Sequence, residues 1–251
     1  MSAKCVAASW RLPLMRLDMG KVYSSLVGSS EEHLRRAILT AEAVAPCVLW
    51  IDEIEKGLSA SKGYIGDSGV SLRVLGGFLT WLQEKTAPVF VFATANQIEL
   101  LPPELLRKGR FDEIFFVDLP SDDERRDIIR IHLEHSRRDP GRFDLDELVV
   151  LSGSTRLGAG AVLTGAEIEA WVNEALIRSF HHRGPERPDL TMEDLRAVAE
   201  RIVPLARVRA GAIQTMRQWA SDHAVHASDD APLELPTAYM RHMPQHSTVS
   251  N

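Results

Sequence analysis

The chain has 251 residues, 45% of them hydrophobic, with a formal net charge of −6, enough apolar material for one large domain or two smaller ones. The acidic balance leaves no basic block of the kind that grips nucleic acid regardless of sequence, and no apolar run approaches the roughly eighteen residues of a membrane span, so neither partner is indicated. Cys5 and Cys47 stand without metal-ligand spacing and fit a reducing compartment better than a disulfide scaffold, and with no leader-like start the expected location is cytoplasmic.

Residues 2–9 look like the interior of a helix, with Ala3, Val6 and Ala7 on one face and no capping residues ahead of them. Residues 14–18 follow as a strand. A capping box, Ser29-x-x-Glu32, then opens a helix with Leu34, Ile38, Ala41 and Ala45 on one face, and Pro46 stops it. Residues 48–51 form a fully apolar strand. A leucine stripe at 72, 75, 79 and 82 marks a helix through Glu84, and residues 89–92, VFVF, give another apolar strand. A short helix over 102–106 leads to a last strand over 114–117. Alternating helices and strands, the strands apolar throughout, predict an α/β fold with a parallel sheet covered on both sides.

After Pro120 strand patterns stop and capped helices take over: Ser121-x-x-Glu124, residues 144–152, Thr164-x-x-Glu167 running to about residue 181, and Thr191-x-x-Asp194 as far as Pro204. One further helix is expected from Leu205 to about residue 220. The predicted organisation is an α/β core over 1–120, a helical domain over 121–221, and a polar, aperiodic tail over 222–251 expected to lack fixed structure.

The chemistry-bearing stretch is CVLWIDEIEKG, residues 47–57, where an apolar strand ends on two carboxylates. Ligands of open parallel sheets bind beyond the carboxyl ends of the strands. There Asp52 could hold a hydrated Mg²⁺ and Glu53 could orient and deprotonate a water. Taken alone, the pair is equally well read as a strand end opening into a solvated loop. The next strand ends near Asn96, whose amide could hold a water against a phosphate, and the segment LLRKGRFD places Arg107 and Arg110 three apart on a turn, where a guanidinium could steady a phosphoryl group in transfer.

In this order these elements resemble the AAA clade of ATPases. The resemblance implies Walker B roles for Asp52 and Glu53, a sensor role for Asn96, and arginine-finger roles for Arg107 and Arg110 toward a neighbouring subunit's ATP. Lys56 and Gly57 follow as in close relatives. It also implies that Gly165 and Ala166, in LTGAEI, open a lid helix beside the adenine, and that the protein binds ATP and Mg²⁺ and assembles as a homo-oligomeric, usually hexameric, ring. Narrower stretches, among them APCVLWIDEIEKG and ELLRKGRFDEIFFVDLP, resemble the plastid and cyanobacterial type known from a hypothetical chloroplast reading frame, for which the plastid stroma is the alternative location. Many members of the clade thread a protein substrate through a central pore; Leu26, Val27 and Gly28 hold that position here, with leucine where an aromatic residue is usual.

One part of the pattern is missing. No G-x-x-x-x-G-K-[ST] loop occurs in the 251 residues, and without one nothing cradles the phosphates. Gly20-Lys21 and the glycines around 158–160 do not supply it. The helix over 2–9 matches the helix that such a loop opens into, so the first strand and the loop are expected upstream of Met1, from a truncated gene model or a fragment. The expected fold class is thus a P-loop-type α/β core lacking its first strand and phosphate loop, with a helical lid. The chain alone is expected to be inactive; a non-catalytic module docking with a complete paralogue is the alternative.

Overall fold

The computed structural model describes residues 2–23, 29–59, 68–107, 109–158, 160–183 and 189–228. The chain divides into two compact units between Glu113 and Ile114. No described helix is long and apolar enough to cross a membrane.

The first unit runs α1 (Ser2–Trp10), β1 (Leu14–Leu17), α2 (Met19–Tyr23), α3 (Ser29–Val44), β2 (Cys47–Ile51), α4 (Ile54–Ser59), α5 (Ser68–Glu84) and β3 (Val89–Ala93). Its three strands are parallel in the order β1-β2-β3. Successive strand side chains point to opposite faces, so the burial of Cys47, Val48 and Leu49 in a row means that β2 is covered on both. Val48 pairs with Leu14 on one side and Phe90 on the other, and Ile51 with Leu17 and Ala93. Around this sheet Met19, Leu34, Phe78, Leu79 and Leu105 form one buried cluster. The Trp81 indole donates to Glu42 at 2.9 Å, tying α5 to α3 where a buried N–H would otherwise lack a partner.

Residues 102–106, expected as a short helix, stay in three-residue turns: the Leu105 N–H reaches Pro102 O at 3.0 Å and the Leu106 N–H reaches Pro103 O at 3.2 Å. Leu101 precedes a proline and is held extended, at φ −76° and ψ 135°, because the following ring disfavours the helical region.

The second unit contains β4 (Phe115–Phe116), α6 (Asp122–His135), α7 (Leu145–Leu151), α8 (Ser154–Leu157), α9 (Gly165–Arg183), α10 (Met192–Ala199), α11 (Leu205–Val208), α12 (Ala210–His223) and β5 (Val225–His226). The capping boxes read from the sequence form at Ser121/Glu124 and Thr191/Asp194. Trp171, Ile129, Leu133, Leu148, Leu163, Ile168 and Leu195 make the core, and the Trp171 indole donates to Leu195 O at 2.8 Å.

Three expectations for this region change. The strand at 114–117 does not extend the sheet of the first unit. Its shorter form, β4, pairs in parallel with β5, so residues 114–120 fall in the second unit rather than the core. Residues 222–228, expected to open an unstructured tail, end α12 and supply β5, because the Val225 and Ala227 N–H groups find Ile114 O and Phe116 O, each at 2.9 Å. Two paired residues are too few to show a strand period in sequence. The single helix expected from Leu205 is broken at Arg209 (φ −111°, ψ 24°) into α11 and α12.

Arg125 on α6 is 2% exposed. Its guanidinium donates to Pro120 O at 3.0 Å, Ser152 Oγ at 3.2 Å and Asp122 Oδ1 at 2.7 Å. It thereby joins the entry of α6 to the end of α7. Removing a buried charged donor leaves its acceptors unmade, so Arg125→Leu is expected to destabilise the second unit by about 2–4 kcal/mol. Urea unfolding followed by tryptophan fluorescence, to which Trp171 and Trp219 of this unit contribute, checks this, and a midpoint equal to wild type would refute it.

Candidate active site

Strand β2 ends at Ile51 and strand β3 at Ala93, its register partner. The next residues therefore meet at the carboxyl edge of the sheet. Asp52 and Glu53 make the bend between β2 and α4, and Thr94 and Asn96 follow β3. The Thr94 hydroxyl donates to Asp52 Oδ1 at 2.8 Å and accepts the Glu53 N–H at 3.1 Å. The Asn96 amide donates to Glu53 Oε1 at 3.1 Å. The Asn96 N–H donates to Glu55 Oε1 at 3.0 Å, where Glu55, the second residue of α4, is 4% exposed. An acid near a helix start is favoured by the dipole, and here it also holds the chain after β3.

Two cations complete the cluster. Arg16 on β1 reaches Asp52 Oδ2 at 3.2 Å and lies 4.8 Å above the Trp50 ring, its register partner on β2. Lys56 sits 2.5 Å from Glu53 Oε2, and that bond holds the lysine ammonium above its ordinary pKa. Both oxygens of each carboxylate are thus engaged: Asp52 by Thr94 and Arg16, Glu53 by Asn96 and Lys56. Glu53 has φ +51°, the left-handed region that a side chain other than glycine, asparagine or aspartate rarely adopts.

Of the residues singled out from sequence, Asp52, Glu53 and Asn96 are brought together. Arg107 and Arg110 are not bonded to any of them among the described residues. Arg110 is tied back to Glu104 O, whereas Arg107 is exposed at the end of turns anchored by buried Leu105. Gly165 and Ala166 open α9 in the second unit, behind a capping box in which the Glu167 N–H meets Thr164 Oγ1 at 3.3 Å and Glu167 Oε2 accepts the Thr164 N–H at 2.8 Å. A side-chain carbon built at Gly165 would lie 3.8 Å from Ile128 Cδ1, ordinary contact, so that unit's own packing does not require glycine. Leu26, Val27 and Gly28 lie outside the described residues.

Sequence reasoning missed Thr94, Arg16 and Glu55. Thr94 had a partial signal, a hydroxyl directly after an apolar strand, but only the β2–β3 register shows that it faces Asp52. Arg16 had a weaker one, a lone charge in the strand LMRL. Nothing local marked Glu55 as buried.

Comparison with known proteins gives this cluster its context. Residues 1–119 match the model of the ATPase family associated with various cellular activities (AAA). The chain is 46% identical over 223 residues to the uncharacterised AAA domain-containing protein ycf46 of Pyropia yezoensis, covering 88% of this chain and 43% of that protein. It is 40% identical over 236 residues to the protein of the same name from Trieres chinensis, covering 94% and 45%. More distantly, it is 33% identical over 215 residues to the peroxisomal ATPase PEX6 of Homo sapiens, covering 80% and 21%. The chain spans less than half the length of each. Through residues 1–119, and with ycf46-type proteins as its near relatives, the chain belongs to the AAA family of ATPases.

Proposed function

We propose that the chain carries the water-activating half of an ATP-hydrolysing site, in a AAA module that works within a ring, usually of six subunits, to remodel macromolecules. The observation that carries this reading is the cluster in which Thr94 and Asn96 grip Asp52 and Glu53 at the carboxyl ends of two adjacent parallel strands.

Asp52 fits a hydrated Mg²⁺: it is a hard oxygen donor, about a third of its side chain is exposed, and Mg²⁺ takes only one or two protein carboxylates beside waters and substrate phosphates. The triphosphate finds no matching loop within the 251 residues. When bound, Mg²⁺-ATP supplies the phosphoryl group to be transferred. Glu53 orients a water and accepts its proton once Lys56 yields Oε2. Because that ion pair is solvent-exposed, it holds the carboxylate only weakly. Asn96 keeps the other oxygen in place and offers its amide toward the transferred group. Arg107, the outward arginine, serves a neighbouring subunit's nucleotide, with Arg110 bracing the turn beneath it. Gly165 and Ala166 leave room for an adenine. Leu26, Val27 and Gly28 would contact a protein substrate in the ring's pore. The cytoplasm, or the plastid stroma in a plastid-bearing host, is the proposed location. On this reading the 251 residues alone bind ATP weakly and turn it over little.

A second reading is favoured by the exposed Arg107: a non-catalytic module that docks into a complete paralogue's ring and offers its arginines. Mixing the chain with such a relative separates the two. The docking reading requires the relative's rate to rise, and to fall back with Arg107→Ala.

Left-handed backbone at a residue that is not glycine costs roughly 1 kcal/mol, and strain of this sort persists where function needs it. Glu53→Gly is therefore expected to be more stable than Glu53→Ala by about 1 kcal/mol. Paired thermal unfolding curves test this, and equal midpoints would show that the strain is not there. For catalysis, the chain is joined behind the N-terminal portion of the Pyropia yezoensis protein. In that version Glu53→Gln should lower hydrolysis about 10²–10⁴-fold while ATP binding persists. Unchanged turnover would remove Glu53 from the role.

A further inference from the structure

We propose that Thr94 is the positioning residue of the acidic pair, setting the spacing between the metal-holding and the water-activating carboxylate; the inference rests on the ATPase reading above. Thr94 makes four hydrogen bonds to the four-residue bend that begins at Ile51. Its N–H donates to Ile51 O and its carbonyl accepts the Ile54 N–H, each at 2.9 Å. These two extend the parallel ladder one step beyond the Ile51–Ala93 pair, and any residue except proline would make the first of them.

The other two bonds need a hydroxyl. Its single proton goes to Asp52 Oδ1 at 2.8 Å, and a lone pair takes the Glu53 N–H at 3.1 Å, a donor-and-acceptor use that only a hydroxyl of this reach can supply. One oxygen atom therefore fixes the Asp52 carboxylate and the backbone that carries Glu53. It also answers a local need. Glu53 sits at φ +51°, and its N–H, turned out of the ladder, has Oγ1 as its acceptor among the described residues. Arg16 holds the second oxygen of Asp52 but does not touch Glu53, and Asn96 holds Glu53 but does not touch Asp52. Thr94 is the link between the two acids.

The isosteric change Thr94→Val keeps the β-branched shape and the ladder bonds while deleting both hydroxyl bonds; Thr94→Ser restores the hydroxyl. In the 251-residue chain, amide hydrogen exchange read by NMR should show the Glu53 N–H exchanging about 10–100-fold faster in Thr94→Val, the Ile54 N–H unchanged, and Thr94→Ser within about threefold of wild type, in line with the loss of one protecting bond. A Glu53 amide indifferent to valine would overturn the proposal. In the version joined to the Pyropia yezoensis segment, Thr94→Val should lower kcat about 10–100-fold, as misplacement by about 1 Å does, with KM for ATP within about threefold and activity recovered in Thr94→Ser. An unchanged kcat, or a loss that serine fails to recover, would sink the positioning role and leave the ATPase reading standing. A wild-type version that hydrolyses nothing would remove the ATPase reading, and the catalytic half of this inference with it. That case is told apart from a failure of Thr94 because the Glu53 amide still responds to valine.

Discussion

Parallel pairing of β2 with β3 sets Ile51 opposite Ala93, so both strands run out at the same level and the residues that follow them meet. The polar cluster of Asp52, Glu53, Thr94 and Asn96 hangs on that level. A one-residue slip would turn every side chain of a strand to the other face. Because β2 is covered on both faces, what opposes slip here is the acid that follows it: a step would carry Asp52 into the place of Ile51, which like Cys47, Val48 and Leu49 is at most 2% exposed, and burying a carboxylate there is costly. The hydrophobic core thus decides where Asp52 and Thr94 stand. The acids need not be strong contributors to stability, and being partly exposed they are not expected to be.

The edge so created is polar and locally costly, and its parts offset one another. Glu53 takes a left-handed backbone, which frees its N–H from the ladder and turns it to the Thr94 hydroxyl. Glu55 is buried one residue into α4, where its carboxylate accepts the Asn96 N–H. Lys56, one residue further, faces Glu53 across the first turn. The order Asp-Glu-Ile-Glu-Lys therefore divides cleanly. Asp52 and Glu53 face the edge, Ile54 and Glu55 are buried beneath it, and Lys56 returns a charge to solvent.

Much of this was legible from sequence because it follows short-range rules. Apolar runs of four or five residues between amphipathic helices mark buried parallel strands, and the boxes at Ser121 and Thr191 form as written. Asp52, Glu53 and Asn96 could be grouped because each follows an apolar strand. What stayed hidden depends on pairing between distant segments. Arg16 and Thr94 enter the cluster only through the register of β1 and β3 with β2, and the two-residue partnership of β4 with β5 joins positions more than a hundred residues apart with no periodic trace. Arg125 shows the same limit. An arginine in a helix beginning Asp-Asp-Glu-Arg-Arg reads as surface charge, yet this one is buried because Pro120, Asp122 and Ser152 supply its acceptors.

The two arginines after β3 show how a turn can sort chemically identical side chains. Leu105 is buried and Phe111 packs against the same core, which pins the segment at both ends. Gly109, at φ +96°, lets the chain reverse between them. Within that reversal Arg110 folds back onto the Glu104 carbonyl and contributes to the turn's closure, while Arg107 stays exposed. A charged group on a segment braced in this way loses less conformational freedom when it meets an anion than one on a free loop. On the ATPase reading proposed above, Arg107 is accordingly the better suited of the pair to reach a neighbouring subunit's phosphate, and Arg110 to brace the turn beneath it.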